Sequence, residues 1–556
     1  MHTLKAITWN NRLTGARQGA ILAAVLSLAT LPDAAASPAL DVGSRKQLFV
    51  DHKFIETAEG VELVMNPAVR TGEVLIAPEA PWEKDLEIFS YNSVIKEDDG
   101  RVRIWYGLRT RPDRRKFLGL AYAESTDGIH FTKPVLNLVE FAGSKENNFV
   151  LPTDPGVMMV GGGSVIKDAN PAAPPSQRYK SWVKVYPTQR TGHAEQHRVF
   201  TSADGIHWKT SERPVTGLRA ADTQPTWFWD PRIQRYAGYS REWVQFPGER
   251  KIRMVSYNES DDLHTWEKSF IALEADELDG TASLRPIVDF GTMTMDGHTI
   301  IARPDPDTPA ANIPGTSAQI GPDGVSLAGG PADIYGPGVV PYLEADGVYL
   351  ALMSMFYHWD VDGFPETSDV RLGVSRDGRH FTKPGGRRPF IGVGPAGAPD
   401  SKWLWWMPSP IRMGDELWLY YFGTNRTHSF ETDPEAKPDT KNTIITRAVM
   451  RLDGFVSADF DYAGGTVITP PLRFTGSRLE LNLDTGAGGV GRVEILDESG
   501  APIPGFTLRE ADQLNANNVR TLVTWRGKSE VSALAGKTVR LHLKMRSAKL
   551  YAFQFR

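Results

Sequence analysis

The chain has 556 residues, with 62 Lys and Arg against 67 Asp and Glu for a formal net charge of -5, and no cysteine. That near-balance, without a basic stripe, excludes a nucleic-acid surface, and the lack of thiols excludes disulfides, a cysteine nucleophile and cysteine-ligated zinc. Fifteen Trp, 52 Gly and 39 Pro point to an all-β, turn-rich chain with room for one large domain and a smaller one.

In chain order, Lys5, Arg12 and Arg17 precede the apolar run 19–31 and then Ala34-Ala35-Ala36. A cationic start, a short apolar core and a small-residue site are the parts of a secretory signal peptide, so residues 1–36 are expected to direct export to the periplasm or medium. The run is too short for a confident membrane anchor. Residues 46–51 (Lys-Gln-Leu-Phe-Val-Asp) read as a first strand that pairs with the last repeat unit.

The body of the chain is organised by a recurring turn. Ser125-Thr126-Asp127-Gly128-Ile129-His130-Phe131 returns as Ser202-Ala203-Asp204-Gly205-Ile206-His207-Trp208 and Ser375-Arg376-Asp377-Gly378-Arg379-His380-Phe381, and more loosely as Ser260-Asp261-Asp262-Leu263-His264-Thr265-Trp266. Asp-Gly favours tight turns because Gly accepts φ > 0 and Asp bonds nearby backbone. Self-similarity at roughly 50 to 80 residues in a strand-rich chain is expected of propeller blades. Five units are countable, the last closed by Leu452-Asp453-Gly454-Phe455. From residue 464 the chain shows period-two alternation, as in Leu479-Glu480-Leu481-Asn482-Leu483, which predicts a β-sandwich. The expected organisation is a signal peptide (1–36), a five-bladed β-propeller (37–463) and a C-terminal β-sandwich (464–556).

These blades and their Ser-x-Asp-Gly-x-His-Trp/Phe turns resemble the five-bladed glycoside hydrolases of families 32 and 43, the β-fructosidase or furanosidase superfamily. The chain departs from that pattern in its catalytic motifs: it has neither the Asn-Asp-Pro-Asn nor the Arg-Asp-Pro motif of family 32, and Tyr91-Asn92-Ser93 stands where family 43 has Asp-Pro-Ser. In such propellers the residues before the inner strands and after the second strands meet at one mouth. Glycoside cleavage needs one protonated and one ionised carboxyl group. The resemblance implies a base or nucleophile from the first blade and two further acids, which by position are Glu87, or Asp85 beside it, as base, Asp222 as the central carboxylate, and Glu242 or Asp333 as acid. Arg109, Arg241, Tyr357, His358, Trp359, Trp405 and Asn425 are the expected sugar contacts, since a flat ring suits the C–H face of a sugar. His193 and His197 lack a helical pattern or acidic partners, and Asp98-Asp99-Gly100 reads as a turn, so neither a metal nor a cofactor is expected. The expected partner is a plant or algal-type carbohydrate; a carbohydrate-binding propeller without turnover and a glycoside phosphorylase are the alternatives.

Overall fold

The computed structural model describes residues 38–556 apart from 111–117, 153–156, 188–195, 219–222, 246–250, 276–278, 280–291, 296–297, 302–331, 358–365 and 429–442. The expected signal segment therefore lies outside the described residues. Among those described, regular structure is strand, with helical geometry confined to short 3-10 turns.

Three four-stranded antiparallel sheets follow one another along the chain. The first comprises Leu86–Lys96, Val102–Thr110, Leu118–Ser125 and Phe149–Leu151; the second Val157–Lys167, Tyr179–Pro187, Gln196–Ser202 and Lys209–Pro214; the third Thr226–Asp230, Arg235–Gln245, Lys251–Ser260 and Trp266–Leu273. A nine-stranded sheet comes next. A single parallel pairing, Ser368 with Trp403, divides it into a fourth group (Ala332–Gly336, Val339–Pro341, Tyr349–Tyr357, Thr367–Ser375) and a fifth (Trp403–Trp406, Ile411–Met413, Glu416–Thr424, Thr443–Arg451, with Val69–Arg70 at the edge).

These strands bury both faces. Every residue from Val102 to Leu108 is buried. Ile104 and Tyr106 pack into a core shared with Leu417 and Tyr420 of the fifth group. Trp105, on the other face, joins Val165, Tyr179 and Phe200 of the second sheet. Face-to-face packing thus follows from apolar residues at consecutive rather than alternate positions.

The repeated turn is the joint between these units. In the first copy, Ser125 Oγ donates to Asp127 Oδ1 (2.8 Å), which also accepts the Ile129 and His130 backbone N–H groups (both 2.8 Å), while His130 Nδ1 meets Asp127 Oδ2 at 2.7 Å. The copies at Asp204 and Asp377 repeat this network. So ordered, the turns at Gly128, Gly205 and Gly378 each present a carbonyl to a neighbouring unit. Trp105 of the first sheet donates to Gly205 O of the second (2.7 Å), and Tyr239 of the third donates to Gly378 O of the fourth (2.6 Å). Trp266, closing the third turn, stacks on Trp182 of the second sheet (5.3 Å). Tyr342 of the fourth group donates to Asp453 of the fifth (2.7 Å), and Tyr420 of the fifth donates to Gly128 O of the first (2.8 Å).

Two expected outcomes follow from this joint. Gly205 has φ +77, and a Cβ there would stand 2.7 Å from Trp105 Cζ2. Gly205→Ala is expected to lower the unfolding free energy by roughly 2–4 kcal/mol, from left-handed strain together with overpacking, as read by denaturant titration. The second concerns acid. Burial raises the Asp377 carboxyl, but hydrogen bonds from the His380 backbone and ring and from the Arg379 backbone outweigh it and bring the group from 3.8 to about 2. A depressed carboxylate contributes stability that is complete above its unfolded value and lost as pH falls through its folded value. Melting temperature is expected to fall from pH 4 towards 2, and Asp377→Asn to flatten that part of the curve.

A two-stranded pair, Thr292–Met295 with His298–Ile301, and two six-stranded sheets make up the rest of the described fold. Val467, Leu472, Leu541 and Leu543 from one meet Leu481, Leu550, Phe553 and Phe555 from the other in a shared core. Early residues supply strands to both: Leu40–Gly43 and Thr57–Glu59 to the first, Gln47–Leu48 and Val61–Met65 to the second. The expected first strand at 46–51 therefore does not pair with the last repeat unit. Gln47 and Leu48 pair with Phe553 and Ala552, because the Phe49 ring packs against Phe54 and Phe553 (6.4 and 5.8 Å). Val69–Arg70 makes the expected connection instead, opposite Val449 and Ala448.

Candidate functional site

The first strand of the first sheet is fixed at its entry. The 3-10 turn Pro81–Glu83 buries Glu83, whose carboxylate accepts from Tyr106 Oη (2.8 Å), Lys133 Nζ (2.5 Å) and the Ala80 backbone (2.9 Å). The strand then pairs Glu87 with Arg109, and its register shifts between Ile88 and Asn92. The Asn92 side chain holds this irregularity, donating to Phe89 O (2.9 Å) and accepting from Gly107 N (3.0 Å). Phe89, Ser90 and Tyr91 are thereby turned to the wall of a cavity of about 120 Å³. Irregular strands commonly re-aim side chains in this way.

Glu87 lies on the same wall and is 2% exposed. Arg109 Nε donates to its Oε1 at 2.5 Å, and Arg426 Nη1 stands 3.6 Å from its Oε2. The Arg109 guanidinium also lies 4.6 Å from the Phe89 ring centre. Thr443 Oγ1 accepts the Ile88 N–H (3.0 Å), which ties this strand to the fifth group.

The far wall is built round Tyr335. Alternation along Ala332–Gly336 puts Asp333 and Tyr335 on one face. The Tyr335 ring meets Phe356, Trp403 and Trp405 edge-on at 5.3, 5.6 and 5.3 Å. Its hydroxyl is 3.1 Å from His428 Nε2, and His428 Nδ1 is 3.1 Å from Glu366 Oε2. From the third sheet, Arg253 and Arg241 lie 4.7 and 5.3 Å from the Tyr335 ring. Arg253 Nη1 donates to Asp333 Oδ2 at 3.0 Å.

Glu87, Arg109, Tyr335, Trp403, Arg426 and His428 thus share one cavity, with Asp333 and Arg241 joined to it through Arg253 and Tyr335. Other expected site residues lie elsewhere. Asp85 is exposed in the turn before the strand. Trp405 is fully buried, packed between Tyr91 and Trp406, with its indole N–H on Gln224 Oε1 (3.2 Å); Trp403, two residues earlier, lines the cavity in its place. Glu242 is buried on the strand face opposite Arg241 and Trp243, where Ser256 Oγ stands 3.4 Å from its Oε1. Tyr357 donates to Asp369 (3.2 Å). Burial pushes the Asp369 carboxyl above its ordinary value, against the lowering effect of Arg371. Asn425 is half-buried between the cavity residues Thr424 and Arg426. Asp222, His358 and Trp359 lie outside the described residues.

Tyr335, Arg253 and His428 are absent from the residues the sequence singles out. Their signals are present but short: Tyr335 follows Asp333 at strand spacing, and His428 follows Arg426 in the same loop. Among the described residues no group of three His, Asp or Glu side chains is arranged to hold a metal.

No protein-family model matches the chain, and no curated protein matches its sequence. Solved structures similar to it include an N-acetylgalactosamine deacetylase from F. plautii in complex with blood group B trisaccharide, at 14% identity over 71% of this chain and 96% of that one, TM-score 0.40. A member of glycoside hydrolase family 130, described with hydrolases that target β-1,2 mannosidic linkages in Candida mannan, shares 12% identity over 73% and 97%, TM-score 0.38. A fructofuranosidase from Schwanniomyces occidentalis complexed with fructosylnystose shares 10% identity over 93% and 99%, TM-score 0.37.

Proposed function

We propose that the chain is an exported glycoside hydrolase acting on a plant or algal-type glycan, built as a five-bladed β-propeller with an accessory β-sandwich. The seating of each unit's turn on the unit before it, and of the first unit's turn on the fifth, supports a closed ring. The observation that carries the activity is Glu87: a carboxylate buried by strand pairing, held by two guanidiniums on the wall of a cavity whose other walls are aromatic. A sugar ring packs its C–H face on Tyr335 and Trp403, leaving hydroxyls to Arg109, Arg426 and His428.

In this reading Glu87, with both oxygens oriented, serves as nucleophile or as base towards water. The proton for the leaving oxygen comes from a second carboxyl group; water then supplies hydroxyl to the anomeric carbon and returns the proton. Asp333 is the described candidate for that donor, because Arg253 joins it to the Tyr335 cluster while Glu242 faces away; donation requires the Arg253 pair to open and the carboxyl to take up a proton before giving it to the leaving oxygen. Asp222 keeps its assignment as third carboxylate. Its neighbour Thr223 meets Tyr335 O through its hydroxyl (3.5 Å), and Gln224 meets Asn92 O (2.8 Å).

A second reading, a carbohydrate-binding propeller without turnover, is favoured by one observation: Glu87 and Asp333 both stand in arginine ion pairs. The test is a screen of the wild type and Glu87→Gln against aryl glycosides and plant and algal polysaccharides, with and without inorganic phosphate. Sugar release by the wild type alone supports the hydrolase, and release that depends on phosphate replaces it with a phosphorylase. No release, with a glycan-dependent rise in melting temperature in both proteins, replaces it with the binding module.

A further inference from the structure

A second cavity, of about 480 Å³, lies where the early chain and the C-terminal sheets meet the loop 343–346. Its walls carry five cations, Arg45, Lys46, Arg412, Arg520 and Arg556, against two carboxylates, Glu344 and Asp346. Arg45 pairs with Asp346 (3.2 Å) and Arg412 with Glu344 (2.5 Å). Lys46 pairs with Asp453 (2.9 Å), and Arg556 lies 3.7 Å from Glu480. Arg520 is exposed, and among the described residues its guanidinium enters no ion pair. A guanidinium carries five N–H donors, so one tied along one edge still offers donors along the other.

Leu343 stands between these charges and is 88% exposed. Leu343 to Asp346 and Arg412 also line a larger cavity of about 950 Å³, which is acidic by contrast, with Glu97, Asp98, Asp168 and Asp230 beside Lys96, Lys167 and Arg232. These are the far ends of the inner strands. Glu87 begins the strand Leu86–Lys96 and Lys96 ends it, which puts about 30 Å of extended chain between the candidate active site and this surface.

We infer that the smaller, basic cavity is a second glycan site, an anchoring site for an oligosaccharide bearing oxyanions, on the face opposite the candidate active site. The chemistry selects that class. Arginine forks match carboxylate and sulfate geometry. The interspersed Glu344 and Asp346 accept sugar hydroxyls, the exposed Leu343 suits a C–H face, and the carboxylates of the larger cavity confine an anionic chain to the basic one. Uronate and sulfate esters present the same oxyanion, and the inference rests on the carbohydrate reading only in naming a glycan as its carrier.

The experiment is isothermal titration of the full chain with an oligogalacturonate, a sulfated galactan oligosaccharide and a neutral xylo-oligosaccharide. It is run on the wild type, on Arg520→Ala/Arg556→Ala and on Glu87→Gln, with folding checked by circular dichroism. The expected result is binding of one or both anionic ligands and not the neutral one, weakened about tenfold in the double arginine variant, unchanged in Glu87→Gln, and weaker at high salt. Should the double variant fail to fold, Arg520→Glu, at an exposed position, takes its place with the same expectation. Equal binding of neutral and anionic ligands, no anionic binding, or anionic binding lost in Glu87→Gln and kept in the arginine variant each overturns the inference. Absence of turnover in the activity screen bears on the hydrolase reading and leaves this titration unaffected.

Discussion

Arg103→Ala is expected to lower the unfolding free energy by roughly 3–5 kcal/mol, the cost of breaking a buried ion pair from one side. Arg103 is 5% exposed. Its guanidinium donates to Glu97 (2.9 Å), Tyr122 Oη (2.8 Å) and Asp204 O (2.6 Å), and it lies 4.8 and 5.2 Å from the Trp105 and Tyr179 rings. It therefore joins the first sheet to the repeated turn of the second. Burial raises the Glu97 carboxyl, and hydrogen bonds from Tyr179, Arg103 and Lys167 together hold it below its ordinary value. With Arg103 gone, that carboxylate keeps its burial and loses its bidentate-capable partner. Arg103→Lys keeps the charge but not the fork, and falls between wild type and alanine. Denaturant unfolding of the three proteins checks the order; a change below about 1 kcal/mol for alanine contradicts it.

The second large effect is on turnover. Glu87→Gln is expected to reduce kcat about a thousandfold or more on any substrate the screen identifies, because the amide keeps the shape of the carboxylate but can neither attack nor take a proton. Binding is expected to persist, since Tyr335, Trp403 and His428 are untouched. Stability falls modestly: Arg109 retains an acceptor in the amide oxygen, while the charge facing Arg109 and Arg426 is lost. Measuring kcat, KM and melting temperature together separates these effects. A fall in melting temperature matched by a proportionate loss of activity marks Glu87 as a structural ion pair instead.

The repeated turn is legible in the sequence because its physics is local. Ser125, Asp127, Gly128 and His130 hydrogen bond to one another or to the backbone between them, so the pattern is written in consecutive positions. What the turn docks onto is not: Tyr420 stands 292 residues from Gly128, and nothing near either residue announces the other. The candidate site divides along the same line. Glu87 and Arg109 are legible because they flank one hairpin, as cross-strand neighbours. Tyr335, Arg253 and His428 come from three separate units and meet only through tertiary packing. Alternation separates Glu242 from Arg241, but it does not separate Trp403 from Trp405, which share a face. Depth does that, since two residues along a strand is about 7 Å, enough to carry an indole from the cavity wall into the core.

The strands contributed by residues 40–65 set a rule for cutting this protein apart. A fragment beginning at residue 464 would carry Gly465–Ile468 and Ala548–Phe555 but neither Thr57–Glu59 nor Gln47–Leu48, their hydrogen-bonded neighbours. It would also lack Val456–Phe460, which binds both Val61–Met65 and Ala548–Phe555. Bare strand edges of that kind seek partners in other copies. Excising the tail where the sequence changes character is thus expected to yield a sticky fragment and to leave the remainder with unpaired early strands. The two sets of sheets are stitched like a seam, and the thread is the stretch 40–65, which pairs with strands between residues 456 and 553.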